Sequence, residues 1–419
     1  MQFKHRRGLD AGVAGAVPQH VAGHFIPTSC ALLGDDVPGL QPEFRIAVGD
    51  TVNTGQILFV DRKSPDISFA SPATGVVTVA EFGARRTLGK VVIETADDVQ
   101  MDVPVPDTAR HRSGLAQLLL ECGLWPSFLT RPFGRIPRPG IVPAAIFITA
   151  VDTNPLAADP ATVLAPVLTL FEHGVEALAM LTDGPVFVCQ APGADLVPAS
   201  GRIRIARFEG PHPAGLPGTH IHHLLPASVA RLVWHIGYQD VVAIGDLLVN
   251  HRYRSERVIA RAGPASARPD LVETRLGASL IDVAKADGAA GHAVLLSGSV
   301  ISGRRSGYLG RYHTQMTMLS PPAEHGNGTI LERLRRWTAQ VGPGPLIPLE
   351  SFERAMPLDI LPVPLLRALS VGDTETAVRL GCLELVEEDL ALMSYLCPGR
   401  NDYGALLRQM LDDIADAPA

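Results

Sequence analysis

The stretch IVPAAIFITAVDTNP, residues 141–155, indicates the fold class of this 419-residue chain. Its first eleven residues, 141–151, are mostly apolar, contain Pro143 and lead into the polar sequence Asp152-Thr153-Asn154. A membrane-spanning helix needs about 20 apolar residues, and no stretch of the sequence approaches that length. The run therefore predicts a buried strand at 141–150, of the kind found in parallel sheets.

Helical and strand-like patterns alternate on both sides of this strand. The spacing of apolar residues predicts helices at 113–122, in the stretch leading to Gly184, and at 228–237. Short apolar runs predict further strands at 186–189 and 241–244. Strands that alternate with helices indicate a parallel sheet with right-handed crossovers. We therefore predict a Rossmann-like α/β domain over residues 106–256.

Residues 43–80 alternate tight turns with short apolar runs. The order VGDTV at 48–52, GQILFV at 55–60 and SPATGVV at 71–77 resembles the barrel-sandwich module of lipoyl and biotinyl carriers. We place this module within residues 1–105. In such carriers a hairpin lysine holds the cofactor, and Lys63 lies near the corresponding place. Its flank, Arg62-Lys63-Ser64-Pro65, departs from the usual D-K-A pattern, which favours an ordinary surface lysine over a modified one.

Residues 257–419 fall into three parts that differ in composition and in the pattern of apolar residues. Strand-like runs at 257–260, 294–297 and 313–319, with a helical pattern at 278–283, predict a β-grasp-like domain over 257–319. The Pro- and Gly-rich residues 320–345 predict a linker. Residues 346–419 predict a helical domain that ends in an amphipathic helix. The predicted fold class is thus a multidomain α/β protein.

Composition excludes several classes of protein. The chain is 46% hydrophobic and 19% charged, which argues against disorder. A net charge of −7 and a pI near 6.1 argue against nucleic-acid binding. The N-terminus lacks the apolar core of a signal peptide, so we expect a soluble protein in a reducing compartment. The five cysteines form no C-x-x-C pair and are predicted to be isolated buried thiols rather than a disulfide framework, a zinc site or a cluster site.

Known catalytic and nucleotide-binding motifs are missing from the sequence. Neither G-x-G-x-x-G nor G-x-x-x-x-G-K-[ST] occurs, so classical NAD or FAD binding is not expected. No Ser/His/Asp or Cys/His arrangement can be assigned. The acidic run Glu387-Glu388-Asp389 is expected in the first turn of a helix, as solvated carboxylates that favour the helix dipole.

Residues 208–222, FEGPHPAGLPGTHIH, pack glycine, proline and histidine at high density. Two histidines at i, i+2 on a strand and a third from the loop are sterically able to bind a metal, and His223 adds a fourth imidazole. No cysteine accompanies them, and loop histidines more often bond to backbone, so no metal site is assigned. We expect a fixed loop beside the carboxyl edge of the sheet. The ligand-loop candidates are His212, Gly215, Gly218, His220 and His222.

The segment LTRPF, residues 129–133, places a cation and an aromatic ring on a proline-fixed turn. Arg131 is able to hydrogen-bond a carbonyl group, and Phe133 is able to stack on a planar ring. From the residues alone, an Arg at a strand end and a Phe in the core are the favoured interpretation.

Residues 208–222 closely resemble the FDGPHPAGLAGTHMH-type run of one family, the NqrA subunits of the sodium-translocating NADH:quinone oxidoreductase (Na+-NQR). The resemblance extends to RGLD at 7–10, ALLGDD at 31–36, TRPF at 130–133, TAVDTNPLA at 149–157 and LGRYH at 309–313. It implies a barrel-sandwich module, a Rossmann-like domain, a β-grasp (SLBB) domain and a helical end, akin to the flavin-binding subunit of respiratory complex I.

The resemblance also implies a function. The family member is peripheral, lies on the cytoplasmic face of the bacterial inner membrane and is implicated in ubiquinone interaction. It binds no cofactor itself, so flavins and iron–sulfur centres are expected in partner subunits of the complex. The alternatives are a purely structural scaffold and a stand-alone flavin- or NAD-dependent oxidoreductase. The quinone-proximal candidates carried over are Leu32, Leu33, Gly34, Asp35, Asp36, Gly39, Arg131, Pro132, Phe133 and Arg138.

Three features depart from the family pattern. His223 stands where the family usually has an aromatic residue. Residues 302–307 are shortened and carry Arg304-Arg305, and residues 320–345 are far shorter than in typical members. The last two differences bear on contacts with partner subunits.

Overall fold

A computed structural model describes residues 1–289, 293–320 and 346–416 of the chain. Apart from Ser320, the predicted linker at 320–345 lies outside these described residues. Two strands of the N-terminal segment join sheets that the rest of the chain forms. Strand β1 (Gln2–Lys4) pairs in parallel with residues 207–209, and β2 (Val21–His24) pairs in parallel with residues 271–273.

Residues 29–95 form the expected barrel-sandwich. Its two sheets have the strand orders β3-β9-β8-β5 and β4-β6-β7 and contribute to one hydrophobic core. Lys63 is exposed at the hairpin tip between the second and third strands of the smaller sheet. The strands are β3 (Ser29–Leu33), β4 (Pro42–Phe44), β5 (Thr51–Val52), β6 (Ile57–Asp61), β7 (Ser64–Ala70), β8 (Gly75–Phe82) and β9 (Leu88–Thr95).

The next part of the chain is an α/β domain around a six-stranded sheet. The sheet has the order β1-β13-β12-β11-β14-β10, and only β10 runs antiparallel to its neighbour. The strands are β10 (Leu129–Arg131), β11 (Ile146–Ala150), β12 (Val186–Gln190), β13 (Ile203–Glu209) and β14 (Val233–Gly237). The helices are α1 (Arg112–Glu121), α2 (Pro160–Leu164), α3 (Leu168–Leu181), α4 (Pro217–Leu224) and α5 (Tyr238–Asn250).

The predicted helix at 113–122 and strand at 186–189 are confirmed, and the strand predicted at 141–150 begins later, at Ile146. Two predictions were wrong. Residues 233–237 of the predicted helix at 228–237 form strand β14, and the predicted strand at 241–244 lies inside helix α5. The reason is that a short, wholly apolar run fits a buried helix as well as a buried strand. Residues 238–247 of α5 are buried all round, so no polar face reveals the helical period.

Helices α3 and α5 pack against each other at two glycines. A Cβ on Gly174 would lie 2.1 Å from the carbonyl oxygen of Val241, and one on Gly245 would lie 1.8 Å from that of Leu170. Any larger residue would force the helices apart, because interiors are close-packed. This contact explains why α5 is buried so completely.

One helical stretch contradicts the expectation that no segment has the length and apolar composition of a membrane-spanning helix. Residues Pro160–Leu181 form 22 helical residues that are long and apolar enough to cross a membrane by length and composition. No such segment was expected from the sequence. In this fold Phe171, Val175 and Leu178 of α3 belong to the buried core shared with α5. A helix buried in a protein core has the same length and apolar composition.

The third part contains a six-stranded sheet of order β18-β17-β19-β15-β16-β2. The predicted strands at 257–260, 294–297 and 313–319 and the helical pattern at 278–283 are confirmed in type, with shifted bounds. The elements are β15 (Glu256–Ala262), β16 (Asp270–Arg275), α6 (Leu280–Asp287), β17 (Val294–Ser297), β18 (Arg304–Arg305) and β19 (Gln315–Leu319).

The last described part is helical and has its own hydrophobic core. Residues 387–389 lie in the first turn of the helix Glu387–Leu396, as predicted. All five cysteines are free and buried, which confirms the interpretation as isolated thiols. The helices are α7 (Glu350–Ala355), α8 (Pro362–Val371), α9 (Thr374–Arg379), α10 (Glu387–Leu396) and α11 (Tyr403–Asp416).

Candidate functional site

The TRPF turn, residues 130–133, joins the α/β sheet to the helical part. Strand β10 ends at Arg131, and the Arg131-Pro132 bond is cis. Phe133 follows with a φ of +80°, and the N–H of Gly134 donates to the carbonyl of Thr130 at 2.9 Å. The turn therefore reverses the chain tightly at the edge of the sheet.

The guanidinium of Arg131 is fully buried and lies between the sheet and helix α10. Its Nη1 lies 2.5 Å from Nε2 of His235 on the neighbouring strand β14. Its Nη2 lies 2.9 Å from Oε1 of Glu388 and 3.4 Å from Oδ2 of Asp389. We call Arg131, His235, Glu388 and Asp389 the Arg131 cluster. The carboxylates at 388 and 389 were expected to be solvated; instead they neutralise a buried cation.

Burial sets the protonation states in the Arg131 cluster. It lowers the pKa of His235, and the Arg131 charge lowers it further, so His235 accepts through Nε2 as a neutral ring. Burial also raises the pKa of Glu388 and Asp389 against the attraction of Arg131, although 37% of the Glu388 side chain reaches solvent. A buried charge of this kind persists only when it is paired and hydrogen-bonded.

Asp389 also fixes helix α4. Its Oδ2 accepts the N–H of Val386 at 2.8 Å and so caps its own helix. A Cβ on Gly218 would lie 2.1 Å from Oδ1 of Asp389. Only glycine fits there, because a methyl group would overlap the carboxylate. The start of α4, the end of β10 and the start of α10 thus meet at one carboxyl group.

The residues after Arg131 face the helical part and solvent. Phe133 is half-buried against the helical core, and its carbonyl accepts from Nη1 of Arg408 at 2.7 Å. Arg408 in turn donates from Nε and Nη2 to the two carboxylate oxygens of Glu387, at 2.6 and 2.7 Å. Arg138 is exposed. Of the four candidates in this run, Arg131 and Pro132 are buried and Phe133 and Arg138 reach the surface.

The second candidate run lies at the end of β3. Leu32 and Leu33 are half-buried, Asp35 and Gly39 are exposed, and a Cβ on Gly34 would lie 1.8 Å from the carbonyl oxygen of Leu88. Asp36 points inward: its Oδ1 pairs with Arg304, and its Oδ2 accepts the N–H of Arg311 at 3.0 Å. Burial raises the pKa of Asp36 even though both arginines lower it.

Arg311 links the two candidate runs. Its side chain donates to the carbonyl of Pro126 at 3.3 Å and to the hydroxyl of Ser127 at 2.9 Å, just before β10. Its backbone N–H holds Asp36 of the other run. Trp125 extends the link, since its indole N–H donates to the carbonyl of Pro137 at 2.8 Å. Arg311, His235 and the two carboxylates at 388 and 389 were not assigned from the sequence, where no spacing connects them to the TRPF turn.

The ligand-loop candidates follow the carboxyl end of β13, as expected. His212 is fully buried, with Nδ1 3.4 Å from Oγ1 of Thr153, and the same hydroxyl accepts the N–H of Gly215 at 2.9 Å. His220 and His222 lie on helix α4, not on a strand. His220 is also fully buried, and its Nε2 lies 3.1 Å from the carbonyl oxygen of Ala214.

Burial keeps these rings neutral. It lowers the pKa of His212 to about 4 and that of His220 to about 3. His222 instead bridges to the helical part: Nδ1 lies 2.7 Å from Oε2 of Glu384, and Nε2 accepts the N–H of Asp359 at 3.2 Å. The ring of His223 stacks on that of Phe3, with the ring centroids 5.7 Å apart, and its centroid lies 4.7 Å from that of His5. The imidazole therefore packs among rings, at a position where the family usually has an aromatic residue. Within the described ranges, no group of three or more potential ligands is arranged to hold a metal ion.

The chain resembles known proteins along almost its whole length. Three family models match consecutive parts of it: the NqrA N-terminal barrel-sandwich hybrid domain at 3–96, the NqrA second alpha/beta domain at 110–253 and the NQRA C-terminal domain at 258–307. The chain is similar to the NqrA protein of the Na(+)-translocating NADH-quinone reductase of Shewanella amazonensis, with 43% identity over 438 residues and 98% of each chain covered.

Two further relatives carry the same name and are similar to this chain to the same extent. The corresponding proteins of Cellvibrio japonicus and Klebsiella pneumoniae are 43% and 42% identical to this chain, with 98% of it and 99% of each relative covered. Among solved structures, a chain of the NAD+-reducing NiFe-hydrogenase in the air-oxidized state is similar, with a TM-score of 0.40 and 14% identity. That match covers 74% of this chain and 62% of the hydrogenase chain.

Proposed function

The chain belongs to the family of NqrA subunits of the Na(+)-translocating NADH-quinone reductase, and we propose that it is the cofactor-free, peripheral subunit that contributes to quinone interaction and to assembly of the complex. Electron transfer takes place in partner subunits, which hold the flavins and the iron–sulfur centres. The missing glycine-rich phosphate loop supports this division of labour, because a dinucleotide needs backbone N–H groups at close approach.

The finer fold is part of the proposal. The first four parallel strands of the α/β domain lie in the spatial order third, second, first, fourth, which supports a Rossmann-like half. We further propose that the third part is a β-grasp (SLBB) domain and that the domain order is akin to the flavin subunit of complex I.

The quinone-proximal surface is proposed to consist of two runs, 32–39 and 131–138. The observation that carries this proposal is the Arg311 link: its backbone N–H holds Asp36 of one run, and its side chain holds residues 126 and 127, which lie just before strand β10 and the other run. Leu32, Leu33, Phe133 and Arg138 supply apolar and donor groups that suit a quinone ring and its carbonyls. Arg131 and Asp36 act from inside as positioning residues, since the partners described above occupy their charged groups.

The proposed location is the cytoplasmic face of the bacterial inner membrane, against the membrane-embedded subunits of the complex. The contact itself is expected to involve the helical part, where Ile347, Leu361 and Val371 are more than half exposed to solvent.

The test has two parts, the recovery of partner subunits and the titration of the chain with a quinone. Affinity purification of the chain from native membranes in mild detergent is expected to recover the flavin- and iron–sulfur-bearing subunits. Titration of the purified chain with a short-chain ubiquinone is expected to saturate, and Phe133→Ala and Arg138→Ala are expected to weaken binding. Arg110→Ala, a substitution of an exposed arginine outside both runs, is the matched control. Recovery of the partners with no saturable quinone binding would leave the scaffold alternative, and a flavin that copurifies with the chain alone would favour the stand-alone oxidoreductase.

A further inference from the structure

A cavity of about 460 Å³ lies at the carboxyl ends of the adjacent parallel strands β11 and β12. Val151, Asp152 and Asn154 line it after the first strand, and Ala191 lines it after the second. Open α/β sheets bind ligands in the crevice outside the carboxyl ends of their strands. Small-molecule sites have volumes of about 300–1,000 Å³. The position and the size of this cavity both fit a small-molecule site.

The N-terminal segment closes the cavity on another side. Ala16, Val17 and Gln19 line it there. The side chain of Gln19 donates from Nε2 to the carbonyl of Ala157 at 3.3 Å and accepts the N–H of Asp159 at Oε1 at 2.7 Å. These two bonds hold the segment against the loop that follows β11. The cavity is therefore built from three segments that are distant in the sequence.

Two acceptor oxygens, on Asp152 and Asn154, have no hydrogen-bond partner among the described residues. Both hydrogen bonds that Asp152 accepts, from N–H and Nδ2 of Asn154 at 2.8 and 2.9 Å, end on Oδ1, so Oδ2 has none within the described part of the chain. The side-chain oxygen of Asn154 is buried without a partner among the same residues. Burial raises the pKa of Asp152, as expected of a poorly solvated carboxyl group. A ligand in the cavity that donates hydrogen bonds would satisfy Oδ2 of Asp152, which is the accessible one of the two oxygens.

The lining also excludes one class of ligand. It contains the carboxyl groups of Asp152 and Asp159 and no Lys, Arg or His among the described residues. A phosphate group would meet negative charge without a compensating cation, and the chain lacks the glycine-rich loop that binds phosphate. The rest of the lining is mainly aliphatic, with Val17, Val151 and Leu156 as its largest side chains. Such a wall suits a planar, uncharged ring.

We propose that this cavity binds a nucleoside without a phosphate group. The vicinal ribose hydroxyls donate to the carboxylate of Asp152, as acidic residues hold ribose in other α/β folds, and the base packs against the aliphatic wall. The proposal goes beyond the quinone-proximal surface and does not depend on it, since no residue of the cavity belongs to either run.

The test is titration calorimetry of the purified full chain with adenosine, guanosine, cytidine and uridine in turn. At least one of them is expected to bind saturably, and its 5′-monophosphate is expected to bind about tenfold more weakly. Asp152→Asn removes one charged acceptor and is expected to weaken binding about tenfold. Ala157→Leu fills the cavity and is expected to abolish binding.

Matched controls are Asp66→Asn and Ala199→Leu, the same substitutions at exposed positions outside the cavity. Both are expected to bind like the unaltered chain, and circular dichroism confirms that each variant is folded. The proposal is overturned if no nucleoside binds, if the monophosphate binds more tightly than the nucleoside, or if Asp152→Asn and Asp66→Asn bind equally well.

Discussion

Arg131 donates a hydrogen bond to His235 across 2.5 Å, although both side chains are buried. Because a guanidinium does not lose its proton in proteins, His235 must be the acceptor and must carry its own proton on Nδ1. The pair joins the edge strand β10 to β14 through side chains, in addition to the backbone ladder in which Arg131 pairs with Val233. The other terminal nitrogen, Nη2, holds helix α10 through Glu388 and Asp389. Arg131 is therefore one of the residues that hold the helical part against the sheet.

Removal of the Arg131 charge is expected to destabilise the protein strongly. Arg131→Ala leaves Asp389 buried without its counter-ion, and breaking a buried pair in this way costs about 3–5 kcal/mol. Urea unfolding followed by circular dichroism measures the change. Arg135→Ala is the control, because its ion pair with Asp412 is 40% exposed on both sides and is worth at most about 1 kcal/mol. Equal effects of the two substitutions would contradict the buried role of Arg131.

A methyl group at residue 218 is expected to disrupt the contact between α4 and α10. In Gly218→Ala the new Cβ lies 2.1 Å from the Asp389 carboxylate, and overpacking of this kind costs about 1–3 kcal/mol. Gly12→Ala serves as the control, since no atom of residues 1–289, 293–320 or 346–416 lies within 4 Å of a Cβ placed there. Thermal unfolding of both variants tests the prediction, which fails if Gly218→Ala melts at the temperature of the unaltered chain.

Acid is expected to destabilise the protein through His220. Burial lowers the pKa of this histidine from 6.5 to about 3, so the unfolded chain takes up a proton before the folded protein does. The stabilisation is fully present above pH 6.5 and is lost as the pH falls toward 3. Two pH units below the unfolded pKa, the loss amounts to about 2–3 kcal/mol.

The measurement is the free energy of unfolding at a series of pH values between neutral and mildly acid. His220→Gln keeps a donor for the Ala214 carbonyl but cannot titrate, so the pH dependence should become shallower. His20→Gln, at an exposed position, should leave the dependence unchanged. If the His220→Gln variant retains the full slope, the neutral buried state of His220 is wrong.

Loss of the Arg311 side chain is expected to loosen the 126–138 segment while the 32–39 run changes less. Arg311→Met removes the bonds to Pro126 and Ser127 but keeps the backbone N–H that holds Asp36. Amide hydrogen exchange, read by mass spectrometry, reports the protection of both runs separately. Arg45→Met, which breaks an exposed pair with Glu43, is the control. Unchanged exchange at 126–138 would show that Arg311 does not link the runs.

Local patterns in the sequence are enough to predict several elements of the fold. The turns and short strands at 48–77, the helix at 112–121 and the amphipathic helix at 403–416 follow from glycine positions and hydrophobic period. Such patterns fail at 228–244, where strand and helix are exchanged, because residues buried on every side carry no period. The family is also readable in the sequence, since runs such as 208–222 are long and unusual.

The way in which distant charged groups combine depends on tertiary structure alone. Arg131 and the carboxylates at 388 and 389 lie more than 250 residues apart in the sequence, and the acidic run is typical of a solvated helix start until folding places it on a buried guanidinium. The nucleoside cavity likewise needs three separate segments. Local sequence determines propensity and hydrophobic period, but burial determines the pKa and the partner of each polar group, and burial exists only once the chain has packed.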